Sequence, residues 1–151
     1  MPATLKMDDR LEPISHEVTD QMMVEFEKVV WDRGQNSHTD VKAAQADGIT
    51  RTIASGQNQM AFLHEMLERN FGDGWVYGGK ISVRYIHPVH AGDVLTANGV
   101  VTEVDEHGGS PRVTVQVWCE NQNGRKTSAG TVNAGQPSAR RSWIGTQGDT
   151  P

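Results

Sequence analysis

The stretch SGQNQMAFLHEMLERNFG, residues 55–72, restricts the possible folds more than any other part of the chain. Met60, Leu63, Met66, Leu67 and Phe71 recur three or four apart, Ser55 stands where a helix cap belongs, and Gly72 and Gly74 close the pattern. Ala61 and Phe62 widen the apolar stripe. A helix apolar over so much of its circumference has to be covered on several sides, and a curved sheet wrapped around it does this.

The residues that follow supply such a sheet. KISVRYI (80–86) sets Ile81, Val83 and Tyr85 on one face, DVLTANGVVTEV (93–104) continues after a turn, and RVTVQVWCE (112–120) repeats Val113, Val115, Val117 and Cys119. RKTSAGTVNA (125–134) closes the set, and the glycines of EHGGSP and NQNGR meet the needs of hairpin connections. In HPVHAGD, Pro88 and Gly92 make a strand-to-strand turn.

Upstream, ISHEV (14–18) reads as a short strand. TDQMMVEFEKVVWD reads as a helix capped by Thr19, with Met22, Phe26, Val29 and Val30 as its apolar face. Asp40 caps a short helix through VKAAQAD, which Gly48 stops. The order is one strand, helices, then four strands, so the expected class is α+β, one antiparallel sheet with one long helix across it. The folded domain is expected over 10–136, with 1–9 and 137–151 as flexible termini.

A chain of 151 residues suffices for one core without disulfides, and its single cysteine, Cys119, has no internal partner. The start MPATLKMDDR lacks the apolar segment of a secretory signal, which points to the cytoplasm, and no apolar run is long enough to cross a bilayer. A net charge of −5 disfavours nucleic acid as a partner; the one basic cluster, ARRSW (139–143), reads as solvated tail.

Polar chemistry is concentrated in GQNSHTD (34–40), between two helices. NSHTD with AAQADG, TIASG at the head of the long helix, and RYIHPVHAGDVL resemble, in this order and spacing, three motifs of the MaoC-like dehydratases. These are the (R)-specific enoyl-CoA hydratases of the hotdog fold, and the resemblance spans 14–134. It implies a hotdog fold, a homodimer with its active site at the subunit boundary, and a lyase hydrating or dehydrating an acyl thioester or related conjugated carbonyl compound. Coenzyme A would be the substrate's carrier, with no bound cofactor. The resemblance places His38 as acid/base and Asn36 as the residue holding the loop and the water. Gly56, at the positive end of the long helix, offers a backbone N–H to an oxygen gaining negative charge.

The chain also departs from the family pattern. The acid that precedes the asparagine by two residues is replaced by Gly34, and the loop is one residue shorter between Asn36 and His38. Asp32 could take the acid's place only through a rearranged loop, and Asp40 reads as a helix cap. Gln57, Asn58 and Gln59 stand where the family carries apolar residues. At least one is expected at the cavity, implying a polar substrate, bound water or a loop contact, whereas exposed amides at a helix end are the plain alternative. Ser55, Trp75 and Tyr77 complete the candidate substrate-binding set; for the two aromatics, placed at the start of a strand, core packing is the commoner alternative.

HEMLE (64–68) resembles half of a zinc helix but ends in glutamate, so no metal is expected. His87 and His90 flank the Pro88 turn and read as exposed, with a groove as the alternative. Ser37 and Ser55 lack a third group that would make either a nucleophile. Two rival functions remain open: a hotdog thioesterase or isomerase acting on a polar small molecule, and a non-catalytic acyl-binding module.

Overall fold

The computed structural model describes residues 3–139, so the cluster at 139–143 lies outside the described residues except for Ala139. The elements are β1 (Ile14–Glu17), α1 (Asp20–Val30), α2 (Val41–Ala46), α3 (Gly56–Phe71), α4 (Asp73–Val76), β2 (Lys80–Tyr85), β3 (Val94–Asp105), β4 (Arg112–Glu120) and β5 (Lys126–Gly135). The strands form one antiparallel sheet in the order β1-β3-β4-β5-β2, so the expected α+β class is the one observed.

The alternation that defines the strands also defines the core. Leu95, Ala97 and Val101 of β3, Val113, Val115, Val117 and Cys119 of β4, and Val132 and Ala134 of β5 point to one side and are buried. Leu63, Met66, Leu67 and Phe71 of α3 meet them. Each such leucine contributes roughly 1.5–3 kcal/mol through burial. The register shifts at Val101/Glu103 and at Cys119/Glu120, and bulges of this kind bend a sheet.

The smaller helices begin as their caps dictate. Thr19 accepts from the Met22 N–H at 3.0 Å, and Asp40 accepts from the Ala43 N–H at 2.9 Å. The apolar face of α1, however, differs from the expectation. Met23 and Glu27 are its buried residues, while Val29 is 86% exposed and Val30 is also exposed. The helix is rotated because the i, i+4 pair facing the protein contains a carboxylate with partners in the next loop. Trp75 and Tyr77 also differ: they do not begin a strand, since Gly72 breaks α3 into the short α4, which holds Trp75 and ends at Tyr77. At the opposite terminus, Leu5 N–H donates to Gln136 Oε1 and Asp8 N–H to the Val101 carbonyl.

Candidate functional site

The loop between α1 and α2 is organised from Glu27. This side chain is 2% exposed, and its Oε2 accepts from Arg33 Nη2 at 2.9 Å and from Asn36 Nδ2 at 3.3 Å. Asn36 Nδ2 also donates to the Gly34 carbonyl at 3.1 Å, and Asn36 Oδ1 accepts the His38 N–H at 2.8 Å. One amide side chain thus ties the helix, the loop and the histidine backbone together. Glu27 Oε1 is buried without a partner, a cost tolerated because the other oxygen is doubly bonded, once to a charged group.

The His38 ring rests on the segment leading into α3. Its Nδ1 is 2.8 Å from the Ile53 carbonyl, and the Ile53 N–H donates back to the Ser37 carbonyl at 3.2 Å. On the other side of that segment, Ala54 N–H donates to the Val89 carbonyl at 2.7 Å, and His90 Nδ1 lies 3.0 Å from the Thr52 carbonyl. Residues 52–54 are therefore clamped between the histidine loop and the Pro88 turn. A carbonyl only accepts, so Nδ1 of neutral His38 carries the proton and Nε2 the lone pair, with no described partner.

Three residues beyond Ile53, α3 begins at Gly56, whose N–H precedes the first intrahelical acceptor and donates to no described residue. Ser55 stands at the cap position, but its hydroxyl does not cap: Oγ is buried and unpartnered, as is Nδ2 of Asn58. The head of α3 therefore carries a free N–H, a buried hydroxyl and a buried amide nitrogen. The Tyr85 ring covers Gly56 so closely that a Cβ there would lie 2.6 Å from Cε2 and 2.7 Å from Cζ, so any side chain at this position requires the ring to move.

The structure thus joins Asn36 to His38 and, through the Ile53 carbonyl, His38 to the segment that leads into α3, where Ser55, Gly56 and Asn58 lie, and leaves other candidates elsewhere. Asp32 is exposed at φ +45°, a backbone angle that aspartate tolerates better than most residues. It lines a hollow of about 320 Å³ with Val24, Glu27, Lys28, Arg33 and Thr39, a wall that does not include His38. Gly34 has φ +70°, so a side chain at the position of the family's acid would be strained. Of the three amides, Gln57 is exposed, whereas Gln59 is buried and its Oε1 accepts from Thr127 Oγ1 at 2.8 Å, a link to the sheet. Trp75 is buried beside His64, with ring centroids 5.1 Å apart, beyond the far end of α3, and exposed Tyr77 follows it.

Glu27 and Tyr85 were not among the candidate site residues, and His90 was singled out only as a turn residue with a groove as its alternative; each left a trace. Glu27 falls four residues after Met23, Tyr85 ends the inward-facing alternation of β2, and His90 adjoins the turn whose backbone pairs with Ile53. Burial pushes the Cys119 thiol up to about 11, with the nearby Ser128 hydroxyl working modestly in the opposite sense. Among the described residues no three His, Cys, Asp or Glu side chains converge as a metal site, and no helix is long and apolar enough to cross a membrane.

A family model described as a MaoC like domain matches residues 6–123. Among solved structures, the R-hydratase PhaJ1 from Pseudomonas aeruginosa, unliganded, superposes with a TM-score of 0.75 at 19% identity, covering 97% of this chain and 94% of that one. The (R)-hydratase from A. caviae involved in PHA biosynthesis gives 0.73 at 20% identity, over 88% of this chain and 98% of that one. A chain of the ChsH1-ChsH2 complex from Mycobacterium tuberculosis also gives 0.73 at 20% identity, over 87% and 98%. At such identities these likenesses speak for the fold. No curated protein sequence matches the chain significantly.

Proposed function

Because the chain belongs to the MaoC-like dehydratase family, a family of hydro-lyases with the hotdog fold, we propose that it hydrates or dehydrates an acyl thioester of the enoyl-CoA and 3-hydroxyacyl-CoA type. The observation that supports this reading is the contact of His38 with the Ile53 carbonyl, three residues before α3 begins. A ring whose Nδ1 is held by the Ile53 carbonyl keeps a basic Nε2, and the unbonded N–H of Gly56 begins the helix three residues later.

In the proposed reaction the thioester oxygen lies against the Gly56 N–H at the positive end of α3, and Nε2 of His38 takes a proton from water as the water oxygen bonds to the β-carbon. The electron pair of the double bond moves toward the thioester oxygen, where the helix end and the N–H stabilise it. The imidazolium then returns a proton to the α-carbon. A single imidazole serves both transfers, consistent with Asp32 lying on another wall and Gly34 lacking a side chain. Asn36 sets the loop, and Ser55 and Asn58 offer polar groups to the substrate.

The domain is taken as 10–136 and the working unit as a homodimer. Val24, Val29, Val30 and Trp31 of α1 and its end, together with Ile86 beyond the edge strand β2, are apolar groups left exposed in one copy. The unpartnered Ser55 hydroxyl and Asn58 amide favour, as a second reading, a thioesterase or isomerase acting on a polar molecule. Incubation with a short enoyl-CoA decides between them: loss of the conjugated-enoyl absorbance supports hydration, free thiol indicates a thioesterase, and binding without either change indicates a non-catalytic module.

A further inference from the structure

We propose that the Tyr85 hydroxyl is a second hydrogen-bond donor to the oxygen assigned above to the Gly56 N–H, so that the anionic intermediate is held between a phenol and a helix end. The inference rests on the preceding reading of the head of α3 and adds to it a group from a different element.

Tyr85 is the last residue of β2, and period two sets it on the same face as Ile81 and Val83, toward α3. Its partner across the ladder is Ser128 of β5, which in turn pairs with Cys119 of β4, so the base of the side chain is fixed by two strands. The edge of the ring that faces Gly56 runs from Cδ2 through Cε2 to Cζ, the carbon bearing the hydroxyl, since these are the atoms nearest to a Cβ built on the glycine. The hydroxyl, one covalent bond beyond Cζ, therefore lies on the side of the ring near the helix's first residue.

Packing alone would be satisfied by phenylalanine. The hydroxyl donates to no described residue, although two unpartnered polar atoms, Ser55 Oγ and Asn58 Nδ2, are buried in the same helical turn. Tyr85 is 46% exposed along the free edge of β2, so a ligand can reach it. Desolvation first, and the neighbouring Cys119 second, raise the phenol's pKa above its ordinary value, which keeps the proton available for donation. A phenol and a backbone N–H on the same oxygen also leave the proton transfers with His38, so no additional acid is required.

The test is Tyr85→Phe, which keeps the ring against Gly56 and removes only the hydroxyl. With a short enoyl-CoA the expected result is a fall in kcat of roughly 10- to 1000-fold, the range for loss of one such donor, with KM changed by less than about threefold. Replacement of Tyr85 by 3-fluorotyrosine, which retains the hydroxyl but ionises more readily, should move the alkaline limb of the kcat profile to lower pH. A fully active Tyr85→Phe variant, or an unmoved alkaline limb, overturns the inference while leaving the hydratase reading intact. A wild-type protein with no hydratase activity overturns both.

Discussion

The Ile53 carbonyl and His38 Nδ1 lie 2.8 Å apart, and this one contact assigns the two nitrogens of the ring to different tasks. One is held by the backbone and the other keeps its lone pair. Replacing His38 with alanine should lower enoyl-CoA hydration by about a hundredfold or more, the ordinary worth of a placed base. Stability should fall by only about 1 kcal/mol, the worth of a single hydrogen bond. Retention of more than about a tenth of the activity would remove His38 from the proposed chemistry.

Glu27 is the buried anchor of the loop, and its loss should be felt at a distance. Glu27→Ala leaves Arg33 and the Asn36 amide without their acceptor and should cost about 1–3 kcal/mol, with the half-exposed Arg33 limiting the effect. Glu27→Gln, which keeps an acceptor oxygen, should cost less. Urea midpoints measure both; an alanine variant as stable as wild type would mean that the loop does not depend on this carboxylate.

The Gly56 and Tyr85 contact predicts a coupled pair. Gly56→Ala brings a methyl into the Tyr85 ring and should destabilise the fold by about 1–3 kcal/mol, the usual cost of overpacking. In a Tyr85→Ala background the same substitution has room, and the penalty should shrink markedly. Thermal melts of the four proteins of this cycle suffice, and additive effects would show that the two residues do not press on each other.

Cys119 predicts a pH dependence of stability. Its thiol is raised from 9.0 to about 11 in the fold, so the native state favours the neutral form. The contribution is complete below pH 9 and is lost as pH rises toward 11, because the unfolded chain ionises first; over that window it amounts to about 2–3 kcal/mol. Cys119→Ala should flatten this part of the stability profile, and an unchanged slope would assign the alkaline loss to other groups.

How legible these features were in the sequence depends on how many elements each requires. The strands β2 to β5 could be read because alternation is a local property, and α3 because its apolar spacing persists from Met60 to Phe71. The orientation of α1 could not, since a buried carboxylate occupies the place where an apolar residue was sought, and Glu27 has meaning only beside Asn36. Ser55 took its expected cap position without making the expected bond. The environment of His38 depends on three segments meeting, the loop, residues 52–54 and the Pro88 turn, and no periodicity records that. Tyr85 could be assigned a face but not a neighbour, because its approach to Gly56 depends on how far the sheet bends.

The one cysteine lies at 0% exposure on the inner face of β4, which makes the protein a convenient host for spectroscopic labels. A maleimide dye or nitroxide attached to a cysteine introduced at exposed Gln35 would react there while the native thiol stays shielded by the fold. Motion of the histidine loop could then be followed in an otherwise unaltered background.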